Sequence, residues 1–325
     1  MLGKAKTSAK VEVDFRGSGT TYSLFRIRHV YFNLDWGKSA LLVGQTWHPL
    51  YGDVAPEILN LNMGAPYQPF SRAPQIRYRF TSNNFMLTAA AIWQSQYLSV
   101  GPKTNKPGET STQKSQEFMK KSCVPEFYLG VDYKRPGLIA GAGLHVSSIT
   151  PRTQSETEDA VYFVNERVTG ISGEAHVKYT KENWLVSAKT VLGTNLTQTS
   201  TVGGYGITSI DEVTGKQQYS PLRTSSTWVN VAYGKKWRPA LFFGYLKNLG
   251  ATKEVPYGAL GTGTTLDQLF TGTAELTYNI PHWKFGAEYS LCNAWYGDEF
   301  DAKAKAINSH SILNHRIVLV ALFQF

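Results

Sequence analysis

Residues 74–93 read PQIRYRFTSNNFMLTAAAIW. Ile76, Tyr78 and Phe80 alternate with Gln75, Arg77 and Arg79. The polar run Thr81-Ser82-Asn83-Asn84 then turns the chain, and Phe85, Leu87 and Ala89 resume the alternation. A period of two marks a strand with one apolar and one polar face. A soluble sheet with one wet face accepts that pattern. So does the wall of a membrane barrel, whose apolar face is the outer one.

The pattern recurs along the chain. Val11, Val13 and Phe15 face away from Lys10, Glu12 and Asp14. Ala175, Val177 and Tyr179 oppose Glu174, His176 and Lys178, and Trp184, Val186 and Ala188 oppose Ser187 and Lys189. Trp283, Phe285, Ala287 and Tyr289 oppose Lys284, Gly286, Glu288 and Ser290. One strand breaks phase between Ile27 and Val30, which predicts a bulge near His29. About fourteen strands follow by this reading, near 5–16, 22–35, 39–47, 74–81, 85–97, 125–134, 138–148, 166–180, 184–193, 224–235, 240–248, 269–279, 282–293 and 312–325.

Their connections fall into two classes. Tight turns such as Asp35-Trp36-Gly37-Lys38, Lys134-Arg135-Pro136-Gly137 and Thr180-Lys181-Glu182-Asn183 alternate with long polar stretches at 48–73, 98–124, 149–165, 194–223, 249–268 and 294–311. Short turns at one end and long loops at the other are the layout of an outer-membrane β-barrel. A soluble sandwich has no reason to sort its loops by length. The closing strand agrees: Leu319, Ala321, Phe323 and Phe325 share a face, and the chain ends on an aromatic residue. The apolar face of 74–93 therefore looks at lipid, and Arg77 and Arg79 look into a wet lumen.

Composition alone does not decide this. With 42% hydrophobic and 18% charged residues and a mean hydropathy of −0.26, the chain resembles a soluble protein, and no apolar run nears the ~18 residues of a membrane helix. A barrel escapes that test because alternate strand residues are polar. Two cysteines, Cys123 and Cys292, exclude a disulfide framework. The opening MLGKAKTSAK lacks the apolar segment of a signal peptide. The expectation is a cytoplasmic chain, or a sequence that starts after processing or truncation.

Residues 24–80 resemble the DcaP-like trimeric outer-membrane porins and their Bacteroidetes relatives. The resemblance rests on the strand LFRIRHVYFNL, on GQTW at 44–47 and on R-x-P-Q-I-R-Y at 72–78, with looser likeness in NERVTGISGEAHVKYT and IPHWKFGAEY. It implies a sixteen-stranded trimeric barrel with a signal peptide, passing small anions, dicarboxylates among them. Fourteen strands are visible, so a missing N-terminal hairpin would account for the difference. Otherwise the last strand pairs with residues 5–16 or leaves an edge open.

The formal net charge is +9. It is spread over strands and loops rather than gathered in a tail, which argues against a nucleic-acid partner. Strands 22–35, 39–47 and 74–81 flank the loop from Trp47 to Ser71, and they carry Arg26, Arg28, Arg77 and Arg79; Arg72, Lys178, Lys189 and Lys284 are further candidates. In porins a loop folds into the barrel. By that resemblance, 48–73 is an inward constriction loop whose Asp53 and Glu57 face a basic wall, and such walls favour anions. The arginines could equally brace the wall by pairing with Glu12, Asp14, Glu174 and Glu288. Tyr67 and Phe70 would pack the loop against the wall or form a slide for a ligand.

No catalytic constellation is evident. His310-Ser311 has no third member at recognisable spacing, and seven scattered histidines show no metal-ligand spacing. GTGTT at 261–265 and GGYG at 203–206 precede no helix and no Lys, so no phosphate cradle or cofactor site is expected. Asn195-Leu196-Thr197 is a glycosylation pattern of little weight in a bacterial chain. No disulfide is expected between Cys123 and Cys292. Three readings remain: an anion-preferring diffusion porin, a barrel whose outer loops bind glycans or a partner, and a soluble β protein that binds an acidic ligand.

Overall fold

The computed structural model describes residues 5–15, 25–60 and 62–325. The expected strand ends at 16 and 22–24 lie outside those residues. Fourteen antiparallel strands form one continuous sheet in chain order. They are β1 (Lys6–Asp14), β2 (Arg26–Asp35), β3 (Ser39–Trp47), β4 (Arg72–Ser82), β5 (Phe85–Ile92), β6 (Glu126–Arg135) and β7 (Leu138–Ile149), then β8 (Val168–Lys181), β9 (Trp184–Thr194), β10 (Gln217–Tyr233), β11 (Trp237–Ala251), β12 (Leu266–Ile280), β13 (Trp283–Phe300) and β14 (Ala306–Phe323). Among the described residues β1 is bonded only to β2, and β14 only to β13. Among the described residues no helix is long and apolar enough to cross a membrane.

The two faces are inverted relative to a soluble protein. Ile76, Leu129, Leu144, Ile171, Leu192, Leu241 and Leu276 are exposed on the outer face, Leu144 by 59%. Ser187, Lys189, Asn230, Thr277, Glu275 and Glu288 are buried on the inner one. That arrangement suits hydrocarbon outside and polar contents inside. An aromatic girdle marks the end with the tight turns. Trp184 packs on Tyr233 (4.7 Å), Trp237 on Tyr278 (4.6 Å), Phe85 on Tyr133 (5.2 Å) and Trp283 on Phe323 (4.9 Å). Each pair joins the first residue of an outgoing strand to the strand hydrogen-bonded beside it. Amphipathic rings prefer that interfacial depth.

The phase break in β2 is a bulge. Glu12 pairs with His29 and Val13 with Ile27, leaving Arg28 as the extra residue. Other expectations change at the opposite end of the barrel. The stretch 294–311 is mostly strand: β13 and β14 are eighteen residues each and are joined by residues 301–305. At ~3.3 Å per residue they are about 60 Å long, and at ~40° tilt they rise well beyond a ~25 Å apolar band. The alternation was hard to follow there because both faces of that hairpin meet water. β10 likewise begins at Gln217, because its first residues pair with Gly203–Ile210, which in turn pairs with Ala259–Thr262. The stretch 98–124 holds a small hairpin (Val100–Pro102 with Thr112–Lys114) and a helix, α1 (Glu117–Ser122). Cys123 and Cys292 are free thiols.

Candidate functional site

The stretch between β3 and β4 leaves the wall at His48 and returns at Ser71, where His48 N–H bonds the Ser71 carbonyl (2.9 Å). Between those points it runs inside the sheet, stitched to strand after strand. Lys189 Nζ on β9 donates to the carbonyls of Leu50 (2.9 Å) and Tyr51 (2.8 Å). Asp53 pairs with Lys134 on β6. Glu57 is held by Lys178 on β8 (2.9 Å) and by Arg238 on β11 (2.5 Å). The amide of Leu59 donates to Glu275 on β12 (2.9 Å) and Glu288 on β13 (2.8 Å). On the way back, Tyr67 meets Thr271 (2.7 Å), and Trp228 Nε1 donates to Gln68 (2.8 Å). Apolar contact completes the seam: Val54 and Tyr67 pack with Trp228, Phe242 and Leu246.

Two inward glycines make room for this segment. A Cβ on Gly244 would meet the Tyr67 ring at 2.5 Å, and one on Gly286 would meet Leu59 at 2.6 Å. Burial alone would raise the carboxyls of Asp53 and Glu57. Lys134 for the first, and Lys178 with Arg238 for the second, outweigh it and hold both below the ordinary carboxylate range.

The candidate cations divide by their partners. Arg26 forms two bonds to Asp14 (3.0 and 2.5 Å), and Arg28 contacts Asp14 (3.2 Å) and Glu12 (2.8 Å), so both are paired along the wall. Arg72 lies 3.7 Å over the Trp47 ring, beside Arg26, Gln45, Gln96 and Tyr97 around a cavity of about 320 Å³. Arg77 is buried and donates to Gln75 (2.8 Å) and to the Trp47 carbonyl (2.5 Å). Arg79 has no hydrogen bond or ion pair among the described residues. Arg77 and Arg79 share a narrow cleft with Asp53, Asp132 and His176. Lys178 and Lys189 hold the loop. Lys284 is opposite Asn279 near the tight turns, with no hydrogen bond or ion pair among the described residues.

Three features escaped the sequence. Arg238 was left out because its strand was started at 240, although Arg238, Ala240 and Phe242 share the inward phase. Lys134 ends the expected strand 125–134 and opens the expected turn, and the structure makes it the penultimate residue of β6. His48, Glu126 and His145, far apart in the chain, converge with their donor atoms within 4.8 Å of one another. Both imidazoles donate from Nε2 to Glu126 Oε2 (3.3 and 2.8 Å), and Gln94 donates to Oε1 (2.7 Å). The amide of Leu50 donates to His48 Nδ1 (3.2 Å), which leaves the proton on Nε2. The trio is therefore a hydrogen-bonded knot at the root of the loop.

No protein-family profile matches the sequence, and no curated protein does. Solved structures do match. The outer membrane channel DcaP of Acinetobacter baumannii superposes at a TM-score of 0.69 with 16% identity, over 99% of this chain and 82% of that one. OmpT of Vibrio cholerae, in its trimer form, matches at 0.56 with 11% identity, over 99% and 87%. The anion-selective porin from Comamonas acidovorans matches at 0.54 with 11% identity, over 98% and 84%. The fold is that of these outer-membrane porins and channels.

Proposed function

We propose that this chain is a passive diffusion porin of the bacterial outer membrane, acting as a homotrimer and preferring small anions. What supports the reading is the segment 48–71, bonded to strand after strand on the inward face of the sheet, and in this reading it is the constriction loop. Asp53 is bonded to Lys134 and Glu57 to Lys178 and Arg238, so Asp53 acts on Arg77 and Arg79 only through space and the cleft keeps an excess of positive charge. A low-dielectric wall focuses such a potential into the lumen, raising the local concentration of anions and lowering that of cations. Asp132 and His176 are bonded to each other (2.9 Å), which ties down the nearest further acid. Arg26 and Arg28, already paired, act mainly as braces.

Two likenesses support the finer parts of the reading. One structural neighbour is an anion-selective porin and another is a trimer form. The family resemblance of residues 24–80 adds dicarboxylates as candidate solutes.

The test is single-channel recording in a planar bilayer under a salt gradient, for the wild type and for Arg77→Ala combined with Arg79→Ala. An open channel whose reversal potential favours anions, and moves toward zero in the double variant, supports the reading. Unchanged selectivity would reduce the arginines to wall bracing. No current from verified folded protein would overturn the porin and favour a barrel that binds through its outer loops.

A further inference from the structure

On the far side of the inward segment from Arg79 lies a second chamber of about 280 Å³, between residues 58–67 and strands β11–β14. That volume is just below the ~300–1,000 Å³ typical of small-molecule sites. Its lining includes Asn60, Tyr67, Phe242, Asn314 and Arg316. Asn314 and Arg316 are in register with Cys292 and Ser290 on the inward face of β14. Both are exposed, and no hydrogen bond or ion pair among the described residues engages either side chain. Across the chamber, the side-chain amide oxygen of Asn60 accepts from Asn62 N–H (3.2 Å), and no hydrogen bond among the described residues engages its NH₂. Ile58, Pro66 and Leu269, each partly exposed, supply an apolar floor, with the buried rings of Tyr67 and Phe242 beneath it.

We propose that this chamber binds a monosaccharide-sized sugar acid. Arg316 takes the carboxylate in a two-pronged hydrogen bond, the amides of Asn60 and Asn314 take hydroxyl groups, and the apolar ring face rests on Ile58, Pro66 and Leu269. A dicarboxylate fits less well. On the β12–β13 wall the lining hydroxyls of Thr273 and Ser290 bond each other (2.9 Å) and Ser290 lies 3.4 Å from Glu288 behind it, so a second carboxylate there would approach an acid. The proposal rests on the porin reading for its physiological sense, but the chamber can be tested separately.

The experiment has two arms. In a planar bilayer, KCl current is recorded while D-galacturonate, D-galactose, acetate or succinate is added, and fractional block is compared within each protein. In detergent, binding of the same solutes is measured by calorimetry. Galacturonate should block and bind, with the other three at least about tenfold weaker, and Arg316→Ala should weaken galacturonate at least about tenfold. Asn314→Leu, which keeps the charge, should weaken galacturonate and spare acetate. Equal action by galactose or succinate, or unchanged galacturonate binding in Arg316→Ala, would overturn the proposal. Galacturonate binding without any KCl current would sustain the chamber while the porin reading fails. Current with neither block nor binding would do the reverse.

Discussion

The guanidinium of Arg77 is committed to Gln75 and the Trp47 carbonyl, whereas that of Arg79, two residues along the same inward face, has no hydrogen-bonding or ionic partner among the described residues. A buried, hydrogen-bonded cation and a partly exposed one without a hydrogen bond respond differently to removal. Arg77→Ala leaves the Gln75 amide oxygen without its donor and the Trp47 carbonyl with only Gln75 Nε2 (3.1 Å), and should cost about 1–3 kcal/mol in urea unfolding. Arg79→Ala should leave the unfolding midpoint within error and shift the reversal potential toward zero. Equal midpoint losses for both variants would contradict this division of labour. The sequence made the two residues look equivalent, since alternation gives facing but not partners.

At the scale of the element, the inward loop depends on contacts that no local pattern announces. Its acids were legible as candidates; their partners were legible only in part. Lys178 was picked out by phase, while Lys134 and Arg238 were hidden by strand ends misplaced by one to three residues. Gly244 and Gly286 looked like ordinary strand glycines, yet each is the space that a loop side chain fills. The Glu57 clamp has a defined pH response. Its carboxyl is held below the ordinary value of 4.5 in the folded protein, so the clamp is complete above 4.5 and is lost as pH falls through the lowered folded value. The difference in conductance between wild type and Glu57→Gln should stay level from pH 7 down to about 4.5 and close only below it. A transition centred above 4.5 would assign it to another group.

Across the whole molecule, fourteen strands were readable from period-two alternation because lipid outside and polar contents inside enforce that contrast along most of each strand. Legibility failed where the contrast does, above the bilayer, where β13 and β14 continue as a water-exposed hairpin. The same inversion predicts an unusual mutational response. Leu144→Arg puts a charge on an exposed outer position, which on a soluble protein is usually worth within about 0.5 kcal/mol. Here it should destabilise by about 2–4 kcal/mol in unfolding from lipid vesicles. A neutral result would remove Leu144 from the hydrocarbon belt.

The loop's attachment to β6, β8, β9, β11, β12 and β13 has a further consequence under the proposed function. A gap framed by a chain fastened at so many points has no hinge about which to swing. Its width is inherited from the barrel, so solutes are graded by fit and charge against a fixed outline. Current through it rises in proportion to voltage and climbs with temperature no more steeply than the conductivity of the salt solution itself. In electrical terms the pore is a resistor filled with electrolyte, not a valve.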